Sequence, residues 1–138
     1  MKIYYEDIKI GDSAEFAKTI TEADILMFAA ACGDTNPVHF NQEYAEQTPF
    51  KTRIAHGMLT ASMISTVLGT QLPGEGAIYL QQSAQFKAPV RIGETVTARV
   101  TVTELDDKKK RVKLATECRV AGKIVLEGES LVIAPSRG

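Results

Sequence analysis

The sequence predicts an α+β domain in which an antiparallel sheet wraps one long apolar helix. Three observations carry that expectation. Residues 54–74, "IAHGMLTASMISTVLGTQLPG", contain no Asp, Glu, Lys or Arg. From residue 77 onward the apolar period becomes two, through Ile78, Leu80, Ala84 and Phe86, then Val96, Ala98, Val100 and Val102, then Val112, Leu114, Cys118 and Val120, and finally Ile124 and Leu126 leading into "SLVIA". No helix-length pattern separates the last three of these segments, so hairpins rather than parallel crossovers must join them.

The elements follow in order. A short extended segment is expected near "AEFAKTI". In "TEADILMFAAACG" the residues Ile25, Leu26, Phe28, Ala29 and Cys32 have helical spacing, with Thr21 as N-cap and Gly33 as stop. A shorter helix is expected from Asn41 to about Gln47. The uncharged helix begins near Gly57 and must end by Pro73, followed by the turn "PGEG". "DDKKK" at 106–110 and "AGK" at 121–123 supply turns between strands. A strand, a helical segment, a central and fully wrapped helix and four sequential strands make the hot-dog architecture. Residues 1–138 read as one domain without repeat, linker or low-complexity tract, and an open sheet edge with an apolar helix face makes a homodimer the expected state.

Composition narrows the function. With 16 basic against 17 acidic residues there is no field to attract nucleic acid or an acidic membrane, which leaves a small-molecule or protein partner. The hydroxyls of Thr60, Ser62, Ser65, Thr66 and Thr70 interrupt the uncharged stretch too often for a membrane span. The N-terminus lacks a signal-type apolar run, and the expected compartment is the cytoplasm, with Cys32 and Cys118 as unpaired core residues. "DTN" lacks the third acidic ligand and the glycine of a calcium loop. "GTQLPGEG" puts Glu75 where a phosphate-binding loop needs lysine, and "KKKR" sits at a hairpin tip behind two aspartates.

One stretch remains, "ACGDTNPVHF" at 31–40. Read alone, Asp34 after a helix-ending glycine is a turn residue that bonds nearby amides, and "NPV" is an ordinary turn signal. The alternative is chemical. Pro37 keeps Asn36 extended and stops any helix, so the chain reverses and can bring the carboxylate of Asp34 and the imidazole of His39 to one water. Further on, "RIAHGML" places His56 and Gly57 at the start of the uncharged helix, where a glycine lets a ligand approach backbone N–H groups as in an oxyanion hole.

"CGDTNPVHFNQEYA" followed by "IAHGML" resembles the signature of the MaoC-like, R-specific enoyl-CoA hydratases, and "FKAPVRIGETV" resembles their downstream strand and turn. The likeness spans nearly the whole chain. It implies a hydro-lyase that adds water to a trans-2-enoyl-CoA to give the (R)-3-hydroxyacyl-CoA, in fatty-acid or polyhydroxyalkanoate metabolism, with no metal, flavin or nicotinamide. By the resemblance Asp34 and His39 hold the water, and the N–H of Gly57 stabilises the enolate oxygen. Ser65 supports the site, with Ser62 one turn earlier as the alternative. Asn36 fixes the loop, and His56 packs at the helix entrance or touches substrate. Lys51, Arg53, Lys87 and Arg91 are candidates for the CoA moiety by position. Leu26, Phe40, Leu59, Met63 and Leu72 would shape the acyl pocket. Two rival readings of the fold remain, an acyl-CoA thioesterase and a non-catalytic acyl-CoA-binding subunit.

Overall fold

In the computed structural model, which describes residues 2–138, the chain order is β1 (Ser13–Thr19), α1 (Glu22–Cys32), α2 (Pro37–Phe40), α3 (Gln42–Glu46), α4 (Gly57–Thr70), β2 (Ile78–Gln82), β3 (Gln85–Phe86), β4 (Thr95–Asp106), β5 (Arg111–Val120) and β6 (Lys123–Ile133). All strands pair antiparallel in one sheet of order β1-β4-β5-β6-β2, with β3 also on β6. This is the hot-dog arrangement expected from the sequence.

Alternation in the three long strands builds the core. Val96, Ala98, Val100 and Val102 of β4, Val112, Leu114 and Cys118 of β5, and Leu126 and Val132 of β6 are all at most 1% exposed. The pairs Ala98 with Cys118 and Val102 with Leu114 stand opposite each other on this face. Helix α4 lies against it and buries Thr60, Ala61, Met63, Ile64, Val67 and Leu68, the spacing of one helical stripe. The β5–β6 hairpin turns through Ala121 and Gly122, whose φ values of 51° and 79° suit a two-residue type I′ connection.

Helix α1 starts as expected. The Thr21 hydroxyl accepts from Asp24 N at 3.2 Å, the Asp24 carboxylate accepts from Thr21 N at 2.9 Å, and Gly33 closes the helix with φ 85°.

The structure corrects four expectations. Helix α4 is not fully wrapped: Met58, Ser62, Ser65 and Gly69 form an exposed stripe, because the sheet covers only one side of the helix. Cys32 is exposed at the end of α1, whereas Cys118 is buried and its thiol is pushed up to about 12, chiefly by that burial. The segment from Ile78 to Phe86 is two strands rather than one, with a register shift between Tyr79 and Gln81, and Ile78, Leu80 and Phe86 face outward on an uncovered edge. Pro37 begins a helix instead of stopping one. It occupies the first turn of α2, where its missing N–H costs nothing. Among the described residues no helix is long and apolar enough to cross a membrane.

Candidate active site

The segment between α1 and α4 holds the candidate residues Asp34, Asn36, His39 and His56, and a ladder of local hydrogen bonds sets its path. After Gly33 the carboxylate of Asp34 accepts from Asn36 N at 3.1 Å, and the side chain of Asn36 caps α2 by accepting from Val38 N at 3.2 Å. These two turns place His39 on the inner side of α2, where it is 7% exposed. Its Nδ1–H donates to the carbonyl of Ile54 at 2.8 Å, which leaves Nε2 as an acceptor without a protein partner among the described residues. Burial pushes the imidazole below the ordinary histidine range. His56 pushes the same way, while the bond to Ile54 and the nearby Asp34 oppose them.

His56 precedes α4 and is 2% exposed. Its Nε2–H donates to the backbone carbonyl of Asp34 at 2.9 Å, and its ring stacks on His39 with centroids 3.9 Å apart and planes at 28°. Phe28 closes on it from α1 at 4.9 Å. A carboxylate oxygen of Asp34, a ring nitrogen of His39 and one of His56 lie within 4.8 Å of one another. By residue type that trio could hold a divalent cation. The two rings stack, and one nitrogen of each already bonds a backbone carbonyl, so each histidine has a single nitrogen left to offer.

Helix α4 has no side-chain cap at its N-terminus, so the first-turn N–H of Gly57 is left for a ligand, with the positive end of a 14-residue helix behind it. A side chain could not be added there without disturbance. A Cβ on Gly57 would lie 2.8 Å from Cε1 of Phe86.

Two recesses flank this point. One of about 280 Å³ is lined by Ile54, Gly57, Phe86, Lys87, Pro89 and Val125. The other, about 480 Å³, runs between α1, α4 and β2 past Phe28, Met58, Ala61, Ser62, Ser65 and Tyr79. Two further depressions along β6, of about 440 and 550 Å³, are lined by Glu117, Glu127 and Glu129, a charge that would repel the phosphates of a nucleotide thioester.

Asp34, Asn36, His39, His56 and Gly57 therefore come together. The other candidates have different surroundings. Arg53 uses its whole guanidinium internally: Nε donates to the carbonyl of His39 at 2.8 Å, and both terminal nitrogens donate to Glu22 at 2.9 Å. Ser62 bonds back to the carbonyl of Leu59 at 2.6 Å, and Ser65 lines the larger recess. Lys87 faces Glu127 at 3.5 Å, and Arg91 donates to the carbonyl of Phe50 at 3.3 Å. Sequence reading missed Phe28 and Phe86 as site residues, since both sit in apolar patterns that read as core.

Residues 7–124 match the family model described as the MaoC like domain. The chain belongs to that family. This MaoC-like chain is 64% identical over 135 residues to an (R)-specific enoyl-CoA hydratase of Rhodospirillum rubrum, covering 98% of this chain and 94% of the relative. It is 47% identical to a 3-hydroxybutyryl-CoA dehydratase of Methylorubrum extorquens, over 98% of this chain and 86% of that protein. Among solved structures, an R-hydratase from Pseudomonas aeruginosa in the unliganded form superposes with a TM-score of 0.93 at 43% identity, covering 99% of this chain and 88% of that one.

Proposed function

We propose that this MaoC-like domain is an R-specific enoyl-CoA hydratase, adding water reversibly to a trans-2-enoyl-CoA. One observation carries the reading: the carboxylate of Asp34 and the free Nε2 of His39 are two acceptors beside the uncapped amide of Gly57. A single water can donate one O–H to each side chain. Asp34 takes one proton as the oxygen adds to the β carbon, the charge gathering on the thioester oxygen meets the Gly57 N–H, and Asp34 returns its proton to the α carbon on the same face. Atoms balance without a cofactor. The apolar recess past Phe28 and Ser65 suits the acyl chain, and the recess at Phe86 and Lys87 suits the pantetheine arm.

The exposed apolar residues Met58, Ile78, Leu80 and Phe86 support a homodimer packed through this face, and the two unpaired thiols accord with a cytoplasmic enzyme. Neighbouring reactions decide whether the chain works in fatty-acid or polyester metabolism.

Crotonyl-CoA tests the reading. Loss of the conjugated enoyl absorbance without thiol release, an R product, and a fall of about 10²- to 10⁴-fold in Asp34→Asn are the expected results. Thiol release would instead identify a thioesterase. The variant should keep its melting temperature, because an amide oxygen can still accept from Asn36 N.

A further inference from the structure

His56 touches every part of the site, and its two ring nitrogens are unequal. The carbonyl of Asp34 can only accept, so the hydrogen sits on His56 Nε2. Nδ1 is then a bare lone pair, buried and without a partner among the described residues. A phenylalanine would fill the same space without that buried acceptor, so packing alone does not account for a histidine here. What the imidazole adds is the bond to Asp34, made by the residue that precedes the Gly57 amide and stacks on the His39 ring.

We propose that His56 is a positioning residue that locks the Asp34 loop, the His39 ring and the Gly57 amide into one rigid unit. The proposal rests on the hydratase reading. Two separable functions follow. The donor at Nε2 fixes the backbone from which the Asp34 carboxylate projects, and a displacement of about 1 Å there is enough to cost roughly a hundredfold in rate. The stacked face excludes water from His39. The other charged groups facing His39 are Asp34 on the preceding loop and Arg53, which bonds its backbone oxygen and is itself paired to Glu22. The Arg53–Glu22 pair is untouched by a substitution at position 56, whereas the Asp34 backbone is released when the donor is lost.

Two variants divide the functions. His56→Phe keeps the ring and loses the donor, whereas His56→Gln keeps a donor that can reach the Asp34 carbonyl and loses the stack. For crotonyl-CoA hydration, followed against pH beside the wild type and with melting curves, His56→Phe should lose about ten- to a hundredfold in kcat, with the acid limb rising less than in His56→Gln because the ring still buries His39. His56→Gln should keep more of the plateau rate but move the acid limb upward, towards the ordinary histidine value of about 6.5, as water regains His39. Both variants at the wild-type rate and profile, or both losing activity only in step with melting temperature, would overturn the proposal.

A measurement on the wild type does not depend on the variants folding. Imidazole nitrogen NMR should find a hydrogen on His56 Nε2, and an Nδ1–H tautomer would overturn the proposal. A wild type that fails to hydrate crotonyl-CoA yet shows the Nε2 hydrogen would sink the hydratase reading instead.

Discussion

Gly57→Ala tests whether the start of α4 must lie bare. The added methyl would stand 2.8 Å from Cε1 and 3.0 Å from Cδ1 of Phe86. Carbon atoms rest at about 3.5 Å, so the ring must withdraw by about 0.7 Å. Phe86 can do so cheaply, since it is 53% exposed on a two-residue strand. Alanine also gains about 0.5–1 kcal/mol over glycine within a helix, which offsets the displacement and leaves the fold near its original stability. Activity should behave otherwise. A methyl beside the amide holds the thioester oxygen away from its donor, and losing one such donor costs about 2.7–4 kcal/mol, or roughly 10²–10³ in kcat. The assay is kcat for crotonyl-CoA with thermal unfolding on Gly57→Ala and on Gly57→Ala combined with Phe86→Ala. A single variant within twofold of wild type, or a double variant that regains the wild-type rate, would refute the requirement for a bare amide.

Arg53→Lys removes the paired bonds to Glu22 and the bond to the His39 carbonyl. With Glu22 half-exposed the ion pair adds little and the carbonyl bond contributes about 1 kcal/mol, so the melting temperature should fall by a few degrees with KM for crotonyl-CoA unchanged. A raised KM without destabilisation would return Arg53 to the CoA moiety. The lowered pKa of His39 fixes the sign of a pH effect. Below about 6.5 the unfolded chain takes up the proton first, so stability declines as pH falls, and activity is lost only at still more acid pH, where the folded imidazole protonates. A half-maximal rate at or above pH 6.5 would contradict this. Sedimentation should give twice the chain mass, and Leu80→Lys on the uncovered edge should shift the protein towards monomer.

Much of the fold is legible because its signals are local. The two-residue period of β4, β5 and β6, the Thr21–Asp24 capping box and the charge-free run of α4 each act within a few positions. Asp34 and His39 are legible as a candidate pair for the same reason, since the turns that join them are made by Asp34 and Asn36 themselves. What escapes is long-range. Arg53 reads as a free cation until Glu22, 31 positions earlier, is seen to occupy it. Phe86 reads as a core residue until the edge position of β3 turns it onto Gly57. The exposed stripe of α4 is invisible for a related reason. An apolar helix pattern reports that a face needs covering, and does not report whether this chain or another copy covers it.

The bonds that hold the fold and those that hold the site are different sets. The core rests mainly on β4, β5, β6 and the inner stripe of α4; Ala55 joins it and Phe40 packs against it, but Asp34, His39 and His56 are outside it. The site rests on a thin overhang, residues 34–56, tied down by the His39–Ile54 and His56–Asp34 bonds, the Arg53–Glu22 pair and the short pairings of Ile54 and Ala55 with Arg91 and Val90. Of the side-chain bonds, His39–Ile54 is buried, His56–Asp34 partly buried and Arg53–Glu22 exposed. An imidazole that bonds the Asp34 loop on one edge, stacks on His39 and leads directly into α4 ties all three groups to one ring, which a set of independent contacts would not do.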